Sequence, residues 1–282
     1  MSFEVRLARP EDVTQIVSWT TDTFDWGDYV PERLPLWIED PDSAVVVCVD
    51  DAAGPVAVAH ALMLSKTEGW LEAARVHPDH KRSGMGSAMN HAGVAWVKEC
   101  GAKVVRLATE ETNKAAKRQV ETLGYRHTSS WMYTRFDVDP SPPLTRTEGG
   151  LKAAPKSDID AAWMFWSTSE LAHRGRGLLA LGWQWRNATP DDLADAAKSG
   201  TFYQSPAGWI VIDMPPNHGI RALWIATTAE EAPQMLADLI GHTRERGVSE
   251  LTIKMPNLPW VTEALTRAGG DPKEVLVYSL AV

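Results

Sequence analysis

Val76-His-Pro-Asp-His-Lys-Arg-Ser-Gly-Met-Gly-Ser87 is the stretch that decides the fold. The run before it, Trp70-Leu-Glu-Ala-Ala-Arg-Val76, reads as a strand, and Pro78 stops it by removing a ladder donor. A short polar turn follows, and paired glycines open a helix predicted over 84–100 that stops at Gly101. The first amides of such a helix have no partner within it, and they sit at the positive end of its dipole. They therefore make an anion site. Gly84 and Gly86 have no Cβ, so a diphosphate can approach the main chain, and Lys81 and Arg82 add positive charge. A glycine-rich turn with solvated basic residues is the plainer reading, but the strand–loop–helix setting weighs against it. No Gly-Lys-Ser/Thr follows, which excludes a nucleotide-triphosphatase loop. A dinucleotide fold would need a third glycine where Met89 stands.

Working outward, 3–8 is predicted as a strand, 10–23 as a helix and 31–38 as a second short helix. Strands are predicted at 44–49, 56–64 and 70–76, then at 104–108 and 125–136, with a helix over 113–123 that stops at Gly124. A meander of strands that later alternates with helices implies an α/β fold, with a mixed central sheet flanked by helices on both faces. Pro140, Pro142, Pro143, Gly149, Gly150 and Pro155 mark a linker over 138–157. That leaves domains at 1–137 and 158–282. The second repeats the later layout of the first: Gly247 to Gly270 has the same 23-position spacing as Gly101 to Gly124, and Leu251 and Ile253 stand where Val105 and Leu107 do. A duplicated fold follows. The second copy is degenerate at the decisive stretch, because Thr227-Thr-Ala-Glu-Glu-Ala-Pro233 lacks glycine, and Glu230 and Glu231 would repel a phosphate. Arg174-Gly-Arg-Gly177 imitates the motif but follows a helix, so it reads as a helix stop and loop.

The bulk properties exclude other classes. A net charge of -9 and 44% hydrophobic residues fit a globular chain that does not bind nucleic acid. Cys48 and Cys100 form neither a disulfide framework nor a metal spacing, so a reducing cytoplasm is expected. No signal peptide or membrane-spanning run is visible. His77 and His80 flank Pro78 with no further ligand at matching spacing, so no metal is expected.

The decisive stretch resembles the GNAT (GCN5-related) acetyltransferases, whose Arg/Gln-x-x-Gly-x-Gly/Ala follows a strand ending in Val-x-Pro. Here it is Lys81-Arg-Ser-Gly84-Met-Gly86 after Val76-His-Pro78. The family's later Asn-x-x-Ala and Leu-Gly-Phe stand here as Asn113-Lys-Ala-Ala116 and Leu123-Gly124-Tyr125. The resemblance covers about residues 3–136. It implies acetyl-CoA in a cleft between splayed strands 70–76 and 104–109. The diphosphate would lie on Lys81, Arg82, Ser83, Gly84, Met85, Gly86 and Ser87, the pantetheine along Ala74 to Val76, and Asn113 would also be on the cofactor side. Lysine at 81 keeps the charge and loses the planar fork of arginine. Many members carry a tyrosine where this chain has Val120, so Tyr125 or solvent must protonate the departing thiolate, or it leaves unassisted.

Acetyl transfer needs a neutral amine. A lysine amine is only about 0.04% neutral at pH 7, against about 14% for a peptide α-amine, so an α-amine asks less of a base. Glu72 is the preferred base, an acid among apolar strand neighbours; the alternative is a strand-edge carboxylate paired with Arg75 or Lys66. Glu110 and Glu111 are second candidates, and Glu111 also reads as a solvated charge. On the acceptor side, 24–42 is rich in polar and aromatic residues, Asp25 and Trp26 among them, and Asp28-Tyr29-Val-Pro31, Trp37 and Asp40-Pro41, together with Leu71-Glu72-Ala-Ala-Arg75-Val76-x-Pro78, resemble histidine N-acetyltransferase-like proteins of animals. That likeness implies a free amino acid as acceptor near Asp28, Tyr29 and Trp37; helix-packing aromatics are the alternative. The expected partner is a small-molecule amine, with a homodimer left open. A protein or peptide acetyltransferase and a non-catalytic acyl-CoA sensor are the competing readings.

Overall fold

The computed structural model describes residues 3–24, 27–140, 150–215 and 219–282. Asp25 and Trp26 and residues 141–149 of the predicted linker lie outside the described residues. The first half of the chain forms β1 (Glu4–Leu7), α1 (Val13–Thr20), α2 (Val30–Glu39), β2 (Ser43–Asp50), β3 (Gly54–Ser65), β4 (Glu68–Val76), α3 (Met85–Glu99), β5 (Val104–Glu110), α4 (Lys114–Thr122) and β6 (Arg126–Asp137). The second half forms β7 (Lys152–Ala153), α5 (Ile159–Ser167), α6 (Glu170–Arg174), β8 (Leu178–Leu181), β9 (Gln184–Asn187), α7 (Pro190–Ser199), β10 (Phe202–Ser205), β11 (Gly208–Asp213), β12 (Ile220–Ala226), α8 (Ala232–Glu245), β13 (Glu250–Pro256), α9 (Pro259–Arg267) and β14 (Lys273–Ala281). Within the predicted linker, β7 pairs with β10, and residues 156–158 form a helical turn. The glycine stops of the repeat are left-handed at Gly124 and Gly247, but in the last helix the turn is made by Gly269, not Gly270.

The chain divides into two compact units that do not follow a single cut in the sequence. The first comprises 1–107, 115–126 and 278–282; the second comprises 108–114 and 127–277. Each unit thus draws a strand segment from the other half of the chain. In the first unit β1, β2, β3 and β4 are antiparallel neighbours and β4 runs parallel to β5. Its C-terminal segment is tied in by the Val282 amide on the Lys103 carbonyl (3.1 Å) and by the Tyr278 hydroxyl on Glu121 (3.2 Å). In the second unit β10, β11 and β12 are antiparallel, β12 runs parallel to β13, and β13 pairs antiparallel with β6 from Glu250–Asp137 to Pro256–Trp131.

Both faces of the first unit's sheet are covered. Ile16, Val30 and Leu34 of α1 and α2 bury against Val45, Val47 and Val58 on one face. Met85 and Met89 of α3 bury against Val46, Cys48 and Ala57 on the other. A Cβ at Gly69 would stand 2.8 Å from Val97, so that glycine lets α3 lie close on β4.

In the second unit, His242 of α8 is 7% exposed and edge-on to Tyr203 at 4.9 Å. Burial first, and the Arg246 charge second, hold its pKa below the usual 6.5. The unfolded chain therefore binds the proton more readily, and stability should rise with pH through the window just below about 6.5 and be lost as pH falls. Urea unfolding at about pH 5.5 and 7.5 should show this slope in the wild type and a smaller one in His242→Phe. An equal slope in the variant would remove His242 from that role.

Candidate active site

Two features of the first unit converge on β4. The first is where its pairing with β5 stops. The parallel ladder runs only from Glu68–Val104 through Gly69–Val105 to Trp70–Arg106, and β4 continues to Val76 beyond it. On the other side, β4 carries two residues, Ala73 and Ala74, opposite the single Ala59 of β3. Ala73 takes a left-handed φ of +57°, an unfavourable conformation for a side-chain-bearing residue. This bulge turns Ala74 outward, where it is exposed, while Val76 resumes pairing with Ala57.

The second feature is the helix start. Gly84 caps α3 with φ +85° and no side-chain cap. Among the described residues, the amides of Arg82, Ser83, Gly84, Met85 and Gly86 have no hydrogen-bond acceptor, whereas Ser87 and Ala88 bond to the Gly84 carbonyl at 3.1 Å. Ser83 turns its hydroxyl back to the His80 carbonyl (2.6 Å). Lys81 and Arg82 are exposed, and the Cβ position of Gly84 is open. A Cβ at Gly86 would stand 2.7 Å from the side-chain amide of Gln119 on α4, a contact that rotation of that side chain relieves.

The second unit repeats the split without the anion site. There the parallel ladder runs from Ile220–Leu251 to Ala222–Ile253 and stops, as in the first unit. Trp131, Trp166 and Trp224 line the space beyond it, leaving a void of about 20 Å³. At the start of α8 the Ala232 amide bonds the Thr228 carbonyl (2.9 Å), the Glu231 amide bonds the Thr228 hydroxyl (3.3 Å), and Pro233 has no N–H. No donor is left for a phosphate at those three positions.

On the α1–α2 face of β4, Glu72 is held at both oxygens. His60 Nδ1–H donates to Oε1 at 3.0 Å and Trp70 Nε1–H donates to Oε2 at 3.0 Å. The sequence offered Arg75 or Lys66 as its partner. The partners are His60, paired across the ladder, and Trp70, two residues back on the same face. The Glu72 side chain keeps 16% of its surface open. His60 is 2% exposed and stacks on Trp37 at 4.2 Å and 13°. A histidine inside a strand of small and branched residues carried no spacing signal, so the sequence reading missed it.

Arg75 engages Asp28 instead, through Nε to Oδ2 (2.7 Å) and Nη2 to Oδ1 (3.2 Å). The Asp28 side chain has no exposed surface. Burial pushes its pKa up, but Arg75 and the Val30 amide outweigh burial and hold it below the usual value. The same guanidinium lies 4.8 Å from the Phe24 ring centre and 5.5 Å from that of Tyr29. Tyr29 also meets Trp37 edge-on at 6.0 Å. Burial, with the Glu72 charge second, pushes the Tyr29 phenol up to about 12, so it remains a hydroxyl donor near neutrality. Asp28, Tyr29, Trp37 and Glu72, four residues singled out from the sequence, thus share one cluster with Arg75 and His60.

Tyr125 is 3% exposed, its hydroxyl against Asn90 of α3 (3.2 Å), and burial raises its pKa to about 12. Val120 is buried in α4. Glu110 and Asn113 fall in the 108–114 segment of the second unit, where the Asn113 amide closes a turn on the Glu110 carbonyl (3.0 Å) and the Glu111 amide bonds the Glu274 carbonyl (3.0 Å).

Comparison with known proteins fits this geometry. Residues 13–125 match the model of the acetyltransferase (GNAT) family. Over 99% of the chain the fold is similar to a GCN5-related N-acetyltransferase from Sphaerobacter thermophilus, covering 95% of that chain at 15% identity with a TM-score of 0.70. It is similar also to a GCN5-related N-acetyltransferase from Kribbella flavida, at 12% identity over 99% of this chain and 72% of that one, TM-score 0.53. A third similar structure is the glucosamine N-acetyltransferase region of a fungal multi-domain β-N-acetylglucosaminidase. It shares 12% identity over 99% of this chain and 38% of the other, TM-score 0.65. Among curated proteins, a bifunctional uridylyltransferase/uridylyl-removing enzyme of Bradyrhizobium diazoefficiens is 30% identical over 110 residues. That match spans 38% of this chain and 12% of the relative's length.

Proposed function

We propose that the chain moves an acetyl group from acetyl-CoA to the primary amine of a small molecule, with a free amino acid the preferred class; the match of residues 13–125 to the acetyltransferase (GNAT) family supports this reading. The observation that carries this reading is the uncapped start of α3, five acceptor-free amides beside two basic residues, just past the end of β4. Those amides, with Lys81 and Arg82, are where a diphosphate would be held. The open stretch of β4 from Leu71 to Val76 offers main-chain groups to the pantetheine arm. A thioester bound there supplies an activated carbonyl.

Glu72 takes the proton from the incoming ammonium, directly or through water. Two N–H donors, from His60 and Trp70, fix the position of its carboxylate. The aromatic rings of Tyr29 and Trp37 suit a cationic amine approaching Glu72. The Asp28–Arg75 pair cancels its own charge, so Glu72 is the acid left for the amine. The Tyr125 oxygen accepts the Asn90 amide N–H at 3.2 Å and keeps its own proton, so the departing thiolate is protonated by Tyr125 or by solvent, or leaves unassisted.

Thiol release across amino acids, polyamines and peptides tests the acceptor class. Turnover confined to peptides would overturn the small-molecule reading, and tight CoA binding without turnover on any amine would overturn the enzyme reading. The anion site has its own test. Gly84→Val should weaken CoA binding about tenfold or more. A β-branched residue at φ +85° costs of order 1–2 kcal/mol and forces the loop to move, although the Cβ itself meets no atom. Calorimetric titration with CoA measures it, and an unchanged affinity would take the diphosphate off this loop.

A further inference from the structure

His60 meets Glu72, and its surroundings decide which of its nitrogens carries a proton. It stands in register between Val45 of β2 and Glu72 of β4, so the three side chains lie side by side on the α1–α2 face of the sheet. It is 2% exposed, and the Trp37 indole of α2 lies nearly flat on its ring at 4.2 Å. Nδ1 is 3.0 Å from Glu72 Oε1. Nε2 is buried, and among the described residues no group lies within hydrogen-bond reach of it.

These contacts select one form of the ring. A bare lone pair on Nδ1 would face a carboxylate oxygen at 3.0 Å, so a proton sits there. A second proton, on Nε2, would bury a charge together with an N–H that has no acceptor. The ring therefore donates to Glu72 and stays uncharged. An imidazolium would instead pair with Glu72 as Arg75 pairs with Asp28, and would cancel the charge that draws an ammonium. A neutral N–H fixes the oxygen and leaves its charge in place. Nor can the ring pass a proton on, because Nδ1 is already filled and Nε2 opens on no acceptor.

We propose that His60, locked as its neutral Nδ1–H form, is a positioning residue that holds the Glu72 carboxylate in the orientation that takes the amine's proton. It acts only through Glu72 and relays no proton itself. This role rests on the acetyltransferase reading, in which Glu72 is the base. A reacting group displaced by about 1 Å can lose about a hundredfold in rate. Here the loss is partial, because Trp70 still holds the other oxygen when His60 is replaced.

Nitrogen NMR of the whole chain, labelled at histidine, reads the ring directly. The His60 signals, assigned by their loss on substitution, should show a protonated Nδ1 and a bare Nε2 near neutral pH. A proton on Nε2, alone or beside one on Nδ1, would overturn the proposal whatever Glu72 does. Thiol release then reads the consequence. His60→Phe keeps a ring against Trp37 and removes the donor; it should lower kcat about tenfold or more with the KM for acetyl-CoA unchanged. His60→Asn puts an amide N–H where Nδ1 stood and should regain most of that rate. Within Glu72→Gln, His60→Phe should lower the rate by less than about threefold more, since the base it would hold is gone. If His60→Phe does not fold, His60→Leu supplies the donor-free comparison. Two results would overturn the positioning role and leave Glu72 as the base. One is His60→Asn as slow as the donor-free variant. The other is a donor-free variant within about threefold of wild type while Glu72→Gln is slow. A normal rate in Glu72→Gln would instead remove the base, and the role of His60 with it.

Discussion

Glu72→Gln should lower acetyl transfer about a hundredfold or more and leave CoA affinity where it was. The substitution is nearly isosteric, and its surroundings can accept it. The carbonyl of the new side chain can take the Trp70 N–H, and its amide can donate to His60 Nδ1 once the imidazole proton moves to Nε2. What is lost is basicity alone. The deficit to be overcome is large for a lysine-type amine and small for an α-amine, roughly 4.6 against 1.2 kcal/mol at pH 7. The penalty should therefore be greater for polyamines than for peptides with a free α-amine, and it should shrink as pH rises toward the amine pKa. Steady-state thiol release with each acceptor over a pH series measures both effects. A rate within threefold of wild type would remove Glu72 as the base.

The other large effect concerns stability. Arg75→Met should destabilise the first unit by about 3–5 kcal/mol, because it leaves a buried carboxylate without its cation. Asp28 has no exposed side-chain surface, and the Val30 amide at 3.1 Å is a modest substitute for a bidentate guanidinium. The double variant Asp28→Asn with Arg75→Met should recover most of the loss, since no buried charge remains. The pH dependence should invert as well. In the wild type the lowered Asp28 pKa contributes stability that is present above about 3.8 and lost as pH falls through the folded value. In Arg75→Met burial dominates and raises that pKa, so the variant should gain stability relative to wild type as pH falls. Urea unfolding followed by tryptophan fluorescence reads all three chains. A loss below about 1 kcal/mol would mean that the pair is effectively solvated.

Arg75 also limits what the acceptor side can do. The sequence places an acid, an aromatic and an arginine near one another and leaves their pairing open. Once Arg75 is committed to Asp28, the fixed carboxylate that still faces the aromatic rings is Glu72, held by His60 and Trp70.

The uncapped start of α3 was legible in the sequence because its cause is local. Whether an amide at a helix start has an acceptor depends on the few residues beside it, so two glycines and two cations in Val76–Ser87 were sufficient. The same locality exposed the degeneracy of the second copy, where Thr228 and Pro233 consume or remove the corresponding donors. Helix and strand positions followed for the same reason, since periodicity and glycine stops act over a few residues.

Tertiary structure decided the pairings. The strand predicted at 125–136 has the apolar pattern of a sheet strand, but nothing in that pattern says that β13, more than a hundred residues away, is its neighbour. Strand partners are chosen by burial summed along whole edges, and Met132 and Phe136 find theirs with Leu251, Ile253 and Met255 in the second unit. His60, the donor that orients Glu72, became visible only when β3 was placed in register against β4. Desolvation is a property of what surrounds a group in space, and chain order does not carry it.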